Sequence, residues 1–421
     1  MKPTKDNSIL GQNLPKFSLP IEQSLILECS RNEMSPAQIN RVKTILEAEL
    51  DWDLILNNAY LNGVLPLVSA NLLQKFGNLL PDEIREKLAL QFQAHARKNL
   101  FLTARLLEIV GTLFQSGIPI LPFKGPVLAM RAYGNLSLRQ FVDLDLLVQP
   151  KHFDEAVRKI LGHGYKAVSK VPWLKRKARF FAYQKDIGLL SEDLTTRVEL
   201  HWKLSGSHFA LPFELNQLWE RLEEIDLGGV RLKTLAFPDL FIYLCLHGSR
   251  HGWERLAWIC DLHELIKSEQ KSGKRIDWRE IQLHGQRHGC EKVIELGLFL
   301  IHDFFGMKTE FPVWKQVEKN ETFKKISRQI QNKIFAKSQT STEIGDWYLY
   351  HLSLKEKKTD KLKLHFHYFS WYLRLVLTPN LLDKAVFNLP PIFYPLYYVL
   401  RPSRLIFNYF SLHHVKKKTI L

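Results

Sequence analysis

Cysteine is scarce and unpatterned in this chain of 421 residues: four in all, at Cys29, Cys245, Cys260 and Cys290, with no CxxC spacing. This argues against a disulfide framework or a zinc knuckle and suits a reducing cytosol. Also missing is an uninterrupted apolar run of the roughly 18 residues needed to cross a bilayer. The nearest stretch, Ala385 to Leu400, is broken by Pro390, Pro391 and Pro395 and does not span. The N-terminus, Met-Lys-Pro-Thr-Lys-Asp-Asn-Ser, lacks the apolar core of a signal peptide, so secretion by that route is not expected. There is no internal repeat and no low-complexity tract. Acid is in deficit: 59 Lys and Arg against 43 Asp and Glu leave a formal charge of +16. Residues 355–421 hold twelve Lys/Arg against three Asp/Glu, a net of +9. Such a tail suits polyanions, whether nucleic acid, an anionic membrane surface or a phosphorylated ligand, with plain solubility as an equal reading.

The remaining composition is that of a globular protein, and the length allows two or three domains, each with a full core. Residues 1–20 read as a flexible N-terminus. Residues 21–116 read as a helical region. Ser35 is the expected N-cap of a helix with Pro36 at its first position, a second helix starts near Pro81-Asp82, and a third runs from about Ala94 to Leu113. At Ile118 the pattern changes to a short strand (Ile118–Phe123), a helix opened by Lys124-Gly125-Pro126, a strand (Phe141–Gln149) and a helix (Phe153–Gly162). Further strands, expected to be antiparallel, are read at Phe180–Gln184 and Arg197–Trp202. Residues 117–211 therefore form a small mixed sheet with helices, 212–350 a second helical domain, and 351–421 a basic, aromatic segment. The fold class is α+β.

The chemistry is concentrated in Asp143-Leu-Asp145-Leu-Leu-Val148. Strand side chains alternate faces, so Asp143 and Asp145 project from one side of the sheet. Two like charges this close repel unless something positive lies between them, and a divalent metal holding substrate phosphates is a recurrent answer. A solvated surface strand is the bland alternative, but the flanking leucines indicate burial, and buried acids need partners. Gly125 allows close approach of the main chain to phosphate at a helix start. Lys124 adds a point charge, and Arg139 can neutralise a phosphate or organise the acids. Glu199, on the face opposite Val198 and Leu200, is the best third acid.

The segments Lys124-Gly-Pro…Arg139-Gln-Phe-Val-Asp143-Leu-Asp145-Leu-Leu-Val148, Val198-Glu199-Leu-His201-Trp202, Leu246-His247-Gly-Ser-Arg-His251-Gly-Trp253-Glu-Arg255-Leu-Ala-Trp258 and Leu389-Pro390…Arg401-Pro402 together resemble the uncharacterised bacterial nucleotidyltransferase family of the DNA polymerase beta nucleotidyltransferase superfamily. The resemblance implies transfer of a nucleoside monophosphate from an NTP to an unidentified acceptor, with pyrophosphate leaving. Mg²⁺, with Mn²⁺ as the alternative, would be held by Asp143, Asp145 and Glu199, which would also be the catalytic acids. Most of the superfamily carries Gly-Ser where this chain has Lys124-Gly125, so one phosphate-contacting hydroxyl is missing. His201, His247 and His251 are candidate substrate contacts. His247 and His251 stand at zinc-binding spacing, but Gly248 replaces the glutamate of a zinc protease, and a core or substrate-contact role is preferred. Trp253 and Trp258 read as packing, with base stacking as the other use. The rival functions are a DxD-type nucleotide-sugar glycosyltransferase and a catalytically silent nucleotide-binding or scaffold protein. No obligate nucleic-acid partner is evident. The expected location is cytoplasmic, with the basic tail able to touch the inner face of the membrane.

Overall fold

The computed structural model describes residues 19–168, 184–204, 215–336 and 344–355, together with 357–377, 383, 386 and 389–405. Two compact units divide the chain, Met1–Leu354 and Lys355–Leu421. The first opens with helices α1 (Ile21–Cys29), α2 (Pro36–Leu46), α3 (Trp52–Leu61), α4 (Leu65–Phe76) and α5 (Asp82–Gln115). At the start of α2 the Ser35 hydroxyl accepts from the Gln38 backbone N–H, while the Gln38 side chain accepts from the Ser35 N–H. This reciprocal cap, with Pro36 following it, satisfies backbone donors that helix geometry leaves unpaired.

The single helix α5 replaces the two separate helices expected before Ser116. Its first part buries Ile84 and Leu88, and its last part buries Leu102, Leu106, Ile109 and Leu113. No apolar side chain between Leu88 and Leu102 is fully buried, so the stretch reads as a break although the backbone continues.

The sheet follows: β1 (Ile120–Pro122), α6 (Gly125–Leu128), β2 (Asp143–Val148), α7 (Phe153–Gly162), β3 (Tyr165–Ala167), β4 (Asp186–Ser191) and β5 (Arg197–His201). In space the order is β1-β2-β5-β4-β3. β2 and β5 run parallel, and every other neighbouring pair is antiparallel. The architecture is α+β, a mixed five-stranded sheet with helical flanks. The expected strand at 180–184 falls outside the described residues except for Gln184, which is not in a strand.

Beyond the sheet come α8 (Leu215–Glu220) and a hairpin of β6 (Glu223–Leu227) and β7 (Val230–Thr234). The hairpin corrects the reading of this region as helical. Gly228 and Gly229 form its two-residue turn with φ of +65° and +86°, the backbone that matches the twist of paired strands. The Thr234 hydroxyl donates to the Pro122 carbonyl at 2.8 Å, fastening the hairpin to β1. Helices α9 (Phe237–Arg250), α10 (Leu256–Lys271), α11 (Trp278–His288), α12 (Glu291–Phe305), α13 (Trp314–Glu318), α14 (Glu321–Ile334) and α15 (Ile344–Ser353) complete the unit.

Two apolar cores result. Leu144, Leu146 and Val148 of β2 join Val198, Leu200 and residues of α5 and α7 in one. Leu121, Phe123 and Leu147 join the other, which gathers α1 and α4 with α9, α10 and α12. Helices before and after the sheet thus share a single core, and the acid-bearing side of the sheet looks toward α9.

Candidate active site

Register explains why two residues 54 positions apart in sequence meet. In the parallel pair β2/β5, Asp143 lies opposite Arg197, Asp145 opposite Glu199 and Leu147 opposite His201. Cross-strand partners share a face. β4 adds Asp186 opposite His201 and Gly188 opposite Glu199. The floor assembled this way opens into a cleft of about 560 Å³ whose other wall is α9, the turn after it and the start of α10.

Asp145 is the anchor of the floor. Its side chain is almost fully buried, with Oδ2 3.1 Å from the Lys124 ammonium and Oδ1 3.1 Å from His201 Nε2. An ionised carboxylate only accepts, so His201 Nε2 carries the hydrogen here. Burial would raise the pKa of Asp145, but the Lys124 charge and the His201 hydrogen bond hold it well below the usual carboxylate range. Burial likewise works against the charge on Lys124, and Asp145 overrides it, keeping the ammonium protonated. Asp143 behaves in the opposite way: burial first, and then the like charge of Asp145, push it up. The positive charge anticipated between the two acids is therefore supplied, on Asp145, by Lys124.

The ligating atoms of Asp145, Glu199 and His201 lie within 4.8 Å of one another. The two carboxylates are donors that fit a divalent cation, and His201, with its Nε2 hydrogen engaged by Asp145, orients one of them. The sequence reading grouped Asp143 with Asp145 and Glu199. In the structure Asp143 is outside this cluster, although it lines the same cleft, and His201 is inside it.

Arg139 is engaged by an ion pair, and Gly125 by a close approach to β2. The Arg139 guanidinium donates to both carboxylate oxygens of Asp261 on α10, each at 2.9 Å, and the Tyr133 hydroxyl donates to the same Asp261 at 2.9 Å. The Arg139 carbonyl accepts from Asn99 Nδ2 at 2.9 Å, so the polar middle of α5 pins the loop leading into β2. Gly125 has φ +54°, and a Cβ there would stand 3.2 Å from the Asp143 carbonyl oxygen. Glycine is required by its approach to β2.

The opposite wall is aromatic and carries uncommitted cations. The His247 ring lies 4.9 Å from His251 and 5.4 Å from Trp258, and Tyr243 stacks on it at 6.0 Å. Burial drives the pKa of His247 well down. Burial, then the charge of Arg250, lowers His251 to about 4. Both imidazoles are neutral at physiological pH. Trp253, by contrast, is core: it is fully buried against Gly248, where a Cβ would meet its ring at 2.4 Å.

A family model described as an uncharacterised nucleotidyltransferase matches residues 48–306, which include both walls of the cleft. The chain belongs to this family. No curated protein matches it.

For a nucleotidyltransferase the distribution of positive charge in the cleft matters. Lys124 is paired with Asp145, Arg139 with Asp261, and Lys185 with Asp186. Arg250 and Arg255 line the cleft, are exposed, and form no ion pair with a described residue; the Arg255 guanidinium lies 6.0 Å over the Trp258 ring. Sequence reasoning passed over Lys185 and Tyr243, and gave Arg250 and Arg255, though they stand in a segment that carries the resemblance, no role in the site. Arg250 lies inside the His247/His251 motif and Arg255 four residues beyond it, and that proximity was the available signal.

Proposed function

We propose that this protein is a divalent-metal-dependent nucleotidyltransferase that moves an NMP from an NTP to an acceptor hydroxyl or amine. The observation that supports it is the β2/β5 register, which sets Glu199 beside Asp145 and His201 on a cleft floor, in a member of a nucleotidyltransferase family. Asp145 and Glu199, set side by side by the register, would hold the cation; Asp143, outside that cluster, would join them from the same cleft, and His201 would fix the orientation of Asp145. When bound, such a cation supplies positive charge against the phosphate oxygens.

The chain's own groups do the rest. Lys124 and His201 keep Asp145 ionised and oriented. Arg250 and Arg255 offer charge to the triphosphate, and the Tyr243–His247–Trp258 wall offers flat surface to the base. Glu199 accepts the proton of the acceptor as its oxygen or nitrogen attacks the α-phosphorus. Pyrophosphate departs with the electron pair of the broken P–O bond.

The test is incubation of the purified protein with α-labelled NTPs, Mg²⁺ or Mn²⁺ and a cell extract, with products read by mass spectrometry. Labelled adducts and released pyrophosphate are expected, and both should vanish in Asp143→Asn and Glu199→Gln. Transfer that survives either substitution removes the assignment. Nucleotide binding without any product would favour the silent scaffold, which the Lys124–Asp145 pair makes the specific rival.

A further inference from the structure

The described residues of the Lys355–Leu421 unit include the long helix α16 (Lys358–Leu377). Leu362, Phe366, Phe369, Leu373 and Leu377 on this helix are between 39% and 72% exposed. At about 100° per residue these five positions fall within an arc of about 80°. They form a continuous apolar stripe along a helix about 30 Å long, rather than scattered surface leucines. Leu364, off the stripe, is buried, so the stripe is the side of the helix turned away from its own packing. Among the described residues further on, Phe393, Leu396, Tyr398 and Val399 are also exposed. A contiguous apolar surface of this kind marks something that covers it.

Charge says what that is. Lys358 and Lys363 are exposed and border the stripe on opposite sides on the helical wheel, and Lys361 lies behind Lys358. Asp360 stands on the far side, about 140° from the centre of the stripe. The whole unit carries twelve Lys/Arg against three Asp/Glu. Basic residues flanking an apolar, Phe-rich stripe match a surface with acyl chains at depth and anionic headgroups at the level of the lysines. No described helix is long and apolar enough to cross a membrane, so such a helix would lie in the interface plane.

We propose that α16 docks the protein on an anionic phospholipid bilayer, with the Leu362–Leu377 stripe among the acyl chains and Lys358, Lys361 and Lys363 among the headgroups. The nucleotide cleft would then work beside a membrane, independently of which acceptor it uses.

The test uses the full chain and sedimentation with vesicles of phosphatidylcholine containing about 30% phosphatidylglycerol, the range in which anionic surface charge is strong. Co-sedimentation is expected, with weaker binding to pure phosphatidylcholine and release as salt rises. The exposed triple change Leu362→Ser, Phe366→Ser and Phe369→Ser should lower vesicle affinity roughly 100-fold. Lys358→Glu with Lys363→Glu should abolish the preference for phosphatidylglycerol. Unchanged unfolding midpoints in both variants would separate these losses from misfolding. Three results would overturn the proposal: no vesicle binding by the unaltered chain, undiminished binding by the serine variant, or a chain that dimerises in solution through the stripe, as shown by loss of the dimer in the serine variant.

Discussion

Replacing Lys124 by methionine keeps the length of the side chain and deletes the charge beside Asp145. Lys124 and Asp145 are 11% and 1% exposed at the side chain, and their charged atoms are 3.1 Å apart. Removing one member of a buried pair typically costs about 3–5 kcal/mol, because the survivor remains buried without its counter-charge. His201 still donates to Asp145 after the change, so the cost should fall at the lower end, about 3 kcal/mol. The depressed pKa of Asp145 means that the pair's contribution is present at neutral pH, above the ordinary aspartate value of about 3.9, and is lost only as pH falls through the lower folded value. Equilibrium urea unfolding at pH 7 of the parent, Lys124→Met, Asp145→Asn and the double variant forms a closed cycle. The double variant should be more stable than the sum of the single losses by about 2 kcal/mol. Added Mn²⁺ should stabilise Lys124→Met more than the parent, since a cation can take the vacated place. A coupling below about 0.5 kcal/mol would refute the reasoning, because sites that do not interact already add to within that margin.

Asp143→Asn should raise the thermal midpoint at pH 7 while abolishing transfer. The raised pKa of Asp143 means that its ionised form is disfavoured in the folded state, so the gain should fade as pH falls through the carboxylate range and Asp143 becomes neutral. A midpoint difference that does not change between pH 7 and pH 4 would contradict this. Arg250→Ala and Arg255→Ala should each weaken NTP binding roughly ten-fold, the worth of one charge-assisted contact, without affecting the matching nucleoside. Calorimetric titration with both ligands measures it, and equal losses for NTP and nucleoside would take the arginines off the phosphates.

The acid strand was legible because its information is local. Two acids at i and i+2 in the apolar run Asp143–Val148, and a capped helix start at Ser35, need no knowledge of distant residues. Lys124 shows the limit. Its charge suggested a phosphate contact, yet its partner is an acid 21 positions away that only folding brings near. Arg139 is similar: Asp261, 122 residues on, occupies its guanidinium. The β6–β7 hairpin was different, since Leu227-Gly-Gly-Val230 between alternating segments is a turn signal that the helical surroundings obscured. For α5, apolar periodicity lapses where polar His95 and Asn99 take over and grip the loop around Arg139. The lapse marked a change of partner, not an end of the helix.

That helix has a mechanical consequence. At 1.5 Å per residue its 34 residues make a rod of about 51 Å, with Ile84 and Leu88 set in one core and Leu102 to Leu113 in the other. The two walls of the cleft are built on those same two cores. Swinging one wall toward the other would have to bend the rod or pull an end from its seat. The spacing of the two walls is thus tied to the stiffness of the rod, and movement of side chains is the cheaper way to tighten the cleft.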